Sequence, residues 1–251
     1  MAAPPFISSV TPADRAILWD VGGTLVDFAC TLPDSVRRRL SACGLDHSRV
    51  SDQHIEQTYR DFHAGERQWA TIELERAAET EWLKALLKDE LLSDEIIHQA
   101  AKKFPRYFEL YRPVSGIVEL LAELRQLRLP MAIVSNWPPS LPEFLEFFHF
   151  PQYFDAIVYS GQDGVHKPDP RIFQRGLDLL QAPAASAIFI GDDFNLDIIP
   201  ARSMGMRAIH FEPRRRAASR DADDVQALRA LLMPMLGFSA VAVPRDEAPR
   251  T

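Results

Sequence analysis

The sequence predicts an α/β protein, in which a parallel sheet core is flanked by helices and an all-helical segment is inserted after the first strand. Three observations lead to this prediction. Short apolar runs of strand length recur along the chain, segments with a helical period lie between the later runs, and no convincing strand occurs between Thr31 and Arg112. Because the runs are too continuous for burial on one face only, we expect a parallel sheet that is covered on both faces.

Five apolar runs are the candidate strands of this sheet. They are Ala16–Trp19, Met131–Val134, Ala156–Tyr159, Ala187–Ile190 and Ala208–Phe211. Each run has the length of a strand, and several contain the β-branched residues Ile or Val, which favour extended backbone. Together they predict one buried sheet.

Helical periodicity marks the segments between the later strands. An apolar stripe with the spacing i, i+3, i+4, i+7 is formed by Ile117, Leu120, Leu121 and Leu124. This spacing places the four side chains on one face of a helix. Residues 170–181 and 193–204 are further helix candidates, so helices separate the strands as a parallel sheet requires.

Helical signals also dominate the segment between Thr31 and Arg112. Leucines at positions 83, 86, 87 and 91 share one helical face. Ser93 precedes Asp94 and Glu95 and is a plausible N-cap for the next helix. The sequence therefore predicts a helical insertion between the first strand and the rest of the sheet.

The order of these elements predicts a sheet domain that is built from two chain segments. We assign residues 14–28 and 113–236 to the α/β core and residues 29–112 to the inserted helical domain. Residues 1–13 and 237–251 carry several prolines and no clear period. We expect both ends to be flexible.

Composition restricts the classes of partner. The net charge is −7, whereas a nucleic-acid-binding domain usually carries a basic surplus. No apolar run approaches the roughly 20 residues that a membrane-spanning helix needs, and the first residues lack the pattern of a signal peptide. Two cysteines imply no disulfide framework. We expect a cytoplasmic protein, monomeric or homodimeric, that binds neither nucleic acid nor membrane.

The first candidate site segment is Asp20-Val21-Gly22-Gly23-Thr24, directly after the first strand. A carboxylate at the end of a buried strand is costly unless it is paired or used. The Gly-Gly pair lets the backbone turn tightly and approach a ligand closely. The structural alternative is an aspartate that begins a glycine-rich turn.

Two further segments carry polar groups that suit a phosphate ligand. Ser135 and Asn136 follow the second predicted strand, and their hydroxyl and amide groups are candidate donors to phosphate oxygens. Ordinary turn chemistry explains the same pair equally well from the residues alone. Lys167 lies between His166 and Pro168, where a fixed loop would hold its charge for a phosphate group.

Three carboxylates follow the fourth predicted strand, at Asp192, Asp193 and Asp197. Carboxylates crowded beside a buried strand repel one another, so a cation is expected among them. Oxygen ligands without a thiolate suit Mg²⁺. The alternative is that Asp193 or Asp197 caps the following helix.

These four segments occur in a specific order, each after a strand. An Asp-turn, a Ser-Asn pair, a Lys-Pro pair and a Gly-Asp-Asp triplet in this order resemble the motifs of the haloacid dehalogenase superfamily, which consists mainly of Mg²⁺-dependent phosphatases with an aspartate nucleophile. The resemblance covers residues 15–235 and implies a Rossmann-like core. The insertion resembles the helical (C1) cap of that superfamily.

The resemblance also implies a role for each matching residue. Asp20 would attack the substrate phosphorus and form an aspartyl-phosphate. Asp20, Asp192 and the backbone carbonyl of Gly22 would ligate Mg²⁺, and Asp193 or Asp197 would complete the metal site.

The remaining implied roles concern the substrate, a small phosphorylated molecule. Ser135 and Asn136 would hold phosphate oxygens, and Lys167 would both neutralise charge and bind the phosphoryl group. Gly23 and Thr24 would contact the substrate at the turn. Trp137 lies where a cap could close over the substrate.

The sequence departs from the family pattern at Gly22. Phosphatases of the family carry a second aspartate there, which protonates the leaving group and then activates water. The loss of general acid–base catalysis typically costs about 10²–10⁴ in rate. Weak or selective phosphatase activity is therefore expected, unless a base such as His63 or Glu66 from the cap substitutes.

Two other functions compete with this one. The fold could serve as a non-catalytic binding or regulatory protein that holds a phosphorylated ligand, and Gly22 motivates that alternative. Cleavage of a carbon–halogen or carbon–phosphorus bond is the third. Dehalogenase members need no metal and tend to lack the acidic site, so Asp192 and Asp193 disfavour them. No cap lysine stands out as the one that phosphonatases use.

Overall fold

A parallel sheet forms the centre of the protein in the computed structural model, which describes residues 15–64, 70–90, 92–103, 107–213 and 222–238. In chain order the strands of the described residues are β1 (Ala16–Trp19), β2 (Val26–Phe28), β3 (Tyr111–Pro113), β4 (Met131–Ser135), β5 (Ala156–Tyr159), β6 (Ala187–Gly191) and β7 (Arg207–His210). Five of them form one sheet in the order β5-β4-β1-β6-β7. All of its neighbouring pairs are parallel.

This sheet confirms the predicted fold class and each of the five predicted strands. The observed bounds differ from the predicted ones by no more than one residue at either end. β1 lies in the middle, between β4 and β6. The carboxyl ends of these three strands therefore meet at one sheet edge, where an open parallel sheet binds its ligands.

Helices in the described ranges surround the sheet and fill the segment after β2. They are α1 (Leu32–Ala42), α2 (Asp52–Ala64), α3 (Ile72–Leu86), α4 (Asp94–Lys103), α5 (Ile117–Gln126), α6 (Leu141–Phe147), α7 (Ser160–Asp163), α8 (Pro170–Leu180), α9 (Ile199–Ser203) and α10 (Val225–Met235). None of the helices described is long and apolar enough to cross a membrane.

The two faces of the sheet bury separate hydrophobic clusters. Ile17 and Trp19 point to the cluster that includes the apolar faces of α5, α6 and α10. Ala16 and Leu18 point to the opposite cluster, which α8 and α9 complete. Alternate residues of one strand thus face different layers of helices, which explains why the strand sequences are apolar throughout.

The helices α1 to α4 share a third hydrophobic cluster, distinct from those of the sheet. Leu83, Leu86 and Leu87 are buried in it, as their common helical face predicts. Leu91 lies outside the described residues. The Ser93 carbonyl accepts the first bond of α4 from the Ile97 N–H, at 3.1 Å, which confirms the predicted helix start. A domain division at residues 29 and 112 stays a prediction.

A short antiparallel pair corrects one expectation about this region. β2 pairs with β3 in the register Val26↔Pro113, Asp27↔Arg112 and Phe28↔Tyr111. The prediction of no strand up to Arg112 was therefore wrong at Tyr111 and Arg112. Three-residue strands are too short to show an alternating pattern, and their partners are far apart in sequence. The pair joins the chain on entry to the helical segment and on exit from it.

A second correction concerns residues 193–204, which were predicted as one helix. The structure has a π-helical turn at Phe194–Ile198, followed by the short helix α9. The Asp193 side chain accepts hydrogen bonds from the N–H groups of Asn195 and Leu196. This cap starts the turn immediately beside the sheet edge and brings Asp197 back toward it.

Candidate active site

Side chains from four separate segments converge at the carboxyl ends of β1, β4 and β6. They line a cavity of about 210 Å³, here called the catalytic cavity, whose described lining residues are Asp20, Gly22, Ser135, Asn136, Trp137, Lys167, Asp192, Asp193, Leu196 and Asp197. The sheet order explains the convergence, because β1 lies between β4 and β6. Every sequence-predicted site residue except Gly23 and Thr24 lines this cavity.

Asp20 lies at the centre of the cavity and is only 6% exposed. Its backbone N–H donates to the carbonyl of Ile190 at 2.9 Å, so the sheet ladder fixes its position. Its Oδ1 atom accepts from the Ser135 hydroxyl at 2.8 Å and from Lys167 Nζ at 2.6 Å. Among the described residues no group donates to Oδ2, and this second oxygen is left for a ligand.

Lys167 is buried between two carboxylates. Its Nζ atom lies 2.6 Å from Asp20 Oδ1 and 2.6 Å from Asp197 Oδ1. Burial alone would lower the pKa of Lys167, but the charges of Asp197 and Asp20 raise it above its usual value. The lysine therefore stays a cation at neutral pH and orients the carboxylate of Asp20.

Asn136 holds the loop that carries Lys167. Its Nδ2 donates to the Lys167 carbonyl at 3.0 Å, and its Oδ1 accepts from the Lys167 N–H at 2.7 Å. Both ends of the amide are thus engaged with backbone. One of the two Nδ2 hydrogens is thereby used by the loop, so Asn136 has a positioning role, and its predicted role as a phosphate donor stays a prediction.

Asp20, Asp192 and Asp197 form a cluster in which one carboxylate oxygen of each lies within 4.8 Å of the others. Burial raises the pKa of Asp192 to about 8, and the charges of Asp20 and Asp197 add to the rise. Burial also raises the pKa of Asp197 to about 6, and Asp20 contributes against the opposing charge of Lys167. Burial is the largest cause of both pKa shifts, and repulsion among the clustered carboxylates adds to it.

This cluster fits a hard divalent cation. Three carboxylates face one lysine, so a cation would relieve the repulsion among them. All donor atoms are oxygens, which is the ligand chemistry that Mg²⁺ and Ca²⁺ prefer. The donor set therefore agrees with the metal that the sequence predicted.

Asp193 has a different environment from the other acidic residues. Its Oδ1 accepts two backbone N–H groups, from Asn195 and Leu196, at 2.8 Å each. It lies outside the cluster that could hold a metal. Of the two alternatives that the sequence left open, Asp193 is the helix cap, and Asp197 joins Asp20 and Asp192. The prediction that Asp193 is a metal ligand stays a prediction.

The Gly22-Gly23 turn brings the backbone against the acidic cluster. Gly23 has a φ of +72°, and a Cβ atom there would lie 2.1 Å from Asp192 Oδ2. A side chain at Gly23 is therefore excluded by both conformation and contact. A Cβ atom on Gly22 would lie 3.3 Å from Cζ3 of Trp137, so the indole ring lies where a longer side chain at Gly22 would extend.

The turn does not offer Gly23 or Thr24 to a substrate as predicted. The N–H of Gly23 donates to the Val26 carbonyl at 2.8 Å. Thr24 is fully buried, and its hydroxyl has no hydrogen-bond partner among the described residues.

Trp137 is fixed by a hydrogen-bond chain that the sequence did not reveal. Its Nε1–H donates to the Tyr107 hydroxyl at 2.9 Å, and that hydroxyl lies 2.6 Å from Ser140 Oγ. The Ser140 hydroxyl donates its hydrogen to Glu75 Oε1 at 2.6 Å, so the Tyr107 hydroxyl is the donor in its bond with Ser140. The four residues come from three separate segments, at positions 75, 107 and 137–140, and no local motif signals their contact.

A second cavity of about 210 Å³ lies between the helical segment and the loop after β4. We call it the aromatic cavity, because its described wall includes Tyr59, Phe62, Trp82, Tyr107, Tyr111 and Trp137. It shares Asn136 and Trp137 with the catalytic cavity.

His63, one of the two predicted substitute bases, lines the aromatic cavity. Burial lowers its pKa to about 4, so the imidazole is neutral at pH 7 and has no proton to give as an imidazolium. The other candidate, Glu66, lies outside the described residues.

Comparison with known proteins identifies related sequences. Residues 15–205 match the family model of the haloacid dehalogenase-like hydrolases. The Xenopus laevis haloacid dehalogenase-like hydrolase domain-containing protein 3 is 28% identical over 210 residues, which cover 80% of this chain and 85% of that protein. The glyceraldehyde 3-phosphate phosphatase of Pyrococcus abyssi is 29% identical over 106 residues, or 42% of this chain and 44% of that protein.

A solved structure shows that the fold is shared with an enzyme of different chemistry. The 2-haloacid dehalogenase of Pseudomonas syringae pv. Tomato DC3000 matches with a TM-score of 0.61 and 21% identity, over 88% of this chain and 98% of that one. The fold alone therefore does not separate dehalogenation from phosphate hydrolysis. Since the family model spans four of the five strands of the sheet, the helical segment and all four site segments, the chain belongs to the haloacid dehalogenase-like hydrolase family.

Proposed function

We propose that this hydrolase is a Mg²⁺-dependent phosphatase that acts on a small phosphorylated molecule through an aspartyl-phosphate at Asp20. One observation carries the proposal. The Asp20 carboxylate is held through Oδ1 by Ser135 and Lys167, while Asp192 and Asp197 crowd it with negative charge. This arrangement leaves Asp20 Oδ2 for an electrophile in a site that needs a divalent cation.

The first step is an attack by Asp20 on phosphorus. A bond forms between a carboxylate oxygen and phosphorus, the bond from phosphorus to the leaving oxygen breaks, and that oxygen takes the electron pair. Lys167 and the Ser135 hydroxyl are placed to balance charge on the transferred group. In the second step, water attacks the aspartyl-phosphate and releases phosphate, which restores Asp20.

Asp20, Asp192, Asp197 and the carbonyl of Gly22 are the groups that would hold Mg²⁺. When bound, the ion supplies positive charge for the phosphoryl oxygens, which is the main requirement of phosphoryl transfer. The acidic cluster also favours phosphate chemistry over dehalogenation. Phosphoryl transfer would use the cation that this cluster would hold, whereas displacement of a halide from carbon needs no metal.

Hydrolysis of 4-nitrophenyl phosphate tests the proposal. We expect phosphate release in Mg²⁺ buffer, its loss on chelation, and a fall of about 10³-fold or more for Asp20→Asn, because the nucleophile is removed. Asp178→Asn is the matched control, since Asp178 is exposed on α8 and remote from the cavity. Equal rates for wild type and Asp20→Asn would exclude Asp20 as the nucleophile.

A non-catalytic binding protein is the second candidate, and the position of Trp137 favours it. The indole covers Gly22, so no side chain there can protonate a leaving group. Calorimetry with methylphosphonate, with and without Mg²⁺, distinguishes the two functions. Metal-dependent binding without turnover of any phosphate ester supports the binding protein, and turnover that depends on Asp20 rejects it.

A further inference from the structure

The aromatic cavity and the catalytic cavity are neighbours that share two wall residues. Trp137 and Asn136 belong to the walls of both cavities. A ligand with its phosphorus at Asp20 that extends past Trp137 therefore enters a space lined by aromatic rings. The Trp137 indole is fixed by its hydrogen bond to Tyr107, so it presents a rigid wall to such a ligand.

The size of the aromatic cavity restricts what can enter it. Its volume of about 210 Å³ lies below the roughly 300–1,000 Å³ of pockets that hold drug-sized ligands. A single ring with short substituents suits this volume, and a nucleotide does not. Aromatic walls favour a flat ring, which can stack on one wall residue and meet the edges of others.

The chemistry of the catalytic cavity points to the same class of leaving group. The two described residues that belong to both walls, Asn136 and Trp137, cannot donate a proton as an acid, and Gly22 has no side chain to do so. A leaving oxygen must therefore depart as an anion. A phenol, with a pKa of about 10 as in tyrosine, releases a far more stable anion than an aliphatic alcohol does.

We propose that the substrates are aryl phosphates, whose single ring binds in the aromatic cavity against Trp137. The proposal rests on the phosphatase function given above. Asp20 displaces the ring oxygen from phosphorus, and the electron pair of the broken bond stays on that oxygen as a phenolate. The phenolate takes a proton from solvent after release, and water then hydrolyses the aspartyl-phosphate to phosphate.

Substrates that separate ring shape from leaving-group quality test the proposal. Phenyl phosphate and its 4-substituted derivatives offer the ring with graded leaving groups, acetyl phosphate offers a good leaving group without a ring, and cyclohexyl phosphate offers a ring that is not flat. We expect rates among the phenyl phosphates to rise steeply as the pKa of the phenol falls. Acetyl phosphate should show a high KM and cyclohexyl phosphate no turnover.

A substitution in the wall of the aromatic cavity tests the location of the ring. Phe62 is partly buried and lines the cavity. Phe62→Leu keeps apolar bulk but removes the ring, so KM for phenyl phosphate should rise about 3- to 10-fold and by a larger factor than KM for acetyl phosphate. Phe147→Leu is the matched control, because Phe147 is half-exposed and lines neither cavity.

Binding provides a measurement that does not depend on turnover. Phenylphosphonate should bind at least 10-fold more tightly than cyclohexylphosphonate or methylphosphonate in Mg²⁺ buffer, and Phe62→Leu should reduce this preference. Equal affinities, or equal kcat/KM for phenyl and cyclohexyl phosphates, would overturn the aryl assignment while leaving the phosphatase function intact. No turnover of acetyl phosphate or any ester, with the phenylphosphonate preference retained, would instead overturn the phosphatase function.

Discussion

Individual residues at the Gly22-Gly23 turn decide how closely the backbone approaches the acidic cluster. Gly23 adopts a left-handed conformation, and Asp192 Oδ2 lies where its side chain would begin. At Gly22, an added Cβ atom would lie 3.3 Å from the Trp137 ring, so an indole from another loop lies beside the position of the absent side chain. The sequence showed the missing acid at Gly22, and only the structure showed what fills the space.

Gly23→Ala should therefore damage the site more than its backbone strain explains. The left-handed conformation costs a non-glycine residue about 1–2 kcal/mol, and the methyl group would also displace the Asp192 carboxylate. We expect a lower free energy of unfolding and a weakened Mg²⁺ affinity, measured by urea denaturation and calorimetry.

Gly164→Ala is the matched control for this change. Gly164 has a φ of +65° and no heavy atom within 4 Å of an added Cβ, so it carries the strain without the contact. If both variants bind Mg²⁺ with the affinity of wild type, the close approach of Gly23 to Asp192 does not affect metal binding.

Among the elements, the loop after β4 connects the sheet edge to the helical segment. Ser160, at the start of α7, accepts from the Trp137 N–H at 3.0 Å and donates to the Trp137 carbonyl at 3.2 Å. From the other side, Glu75 of α3 accepts from the N–H and the hydroxyl of Ser140. Trp137 is thus positioned by groups on α7, α3 and the segment before β3, which couples the helical segment to the wall of the catalytic cavity.

Tyr107→Phe should loosen this coupling. It leaves the Trp137 Nε1–H without its acceptor, which costs about 1–3 kcal/mol for a buried donor. We expect a lower melting temperature and a red-shifted tryptophan emission, because the indole gains mobility.

Tyr153→Phe is the control for Tyr107→Phe, since the Tyr153 hydroxyl makes no hydrogen bond within the described part of the chain. Emission that stays unchanged in Tyr107→Phe would show that packing alone fixes the Trp137 ring.

For the molecule as a whole, stability and site chemistry oppose each other. The sheet brings Asp20, Asp192 and Asp197 together with a single lysine, and burial, with added repulsion from Asp20 and Asp197, raises the pKa of Asp192 to about 8. The metal-free protein therefore carries unfavourable charge at its centre. A bound cation would relieve this repulsion, so metal binding would raise the free energy of unfolding.

The effect of Asp192→Asn on the free energy of unfolding should change sign when Mg²⁺ is added. Without the metal we expect the variant to be more stable than wild type, because one crowded carboxylate is removed. With Mg²⁺ at about 100 times Kd, wild type should gain about 2.7 kcal/mol and the variant much less. Thermal denaturation with chelator and with Mg²⁺ measures both, and Asp178→Asn should follow wild type in each buffer.

The sequence by itself determined the sheet, most of its helices and the residues of the site edge. Continuous apolar runs can only be buried strands, and polar residues directly after them must meet at one edge because parallel strands end together. Asp20, Ser135 and Asp192 were found in this way, because each follows a strand directly. Lys167 and Asp197 lie further along the chain, and the order of the four segments pointed to them.

Only the tertiary structure decided which polar groups remain for a ligand. The amide of Asn136 is used by the Lys167 loop, the carboxylate of Asp193 caps a turn, and Thr24 is buried inside the glycine turn. The sequence also did not predict the β2–β3 pair or the hydrogen-bond chain from Trp137 to Glu75. Each depends on contacts between segments far apart in sequence, whose formation is fixed by packing in three dimensions rather than by any local period.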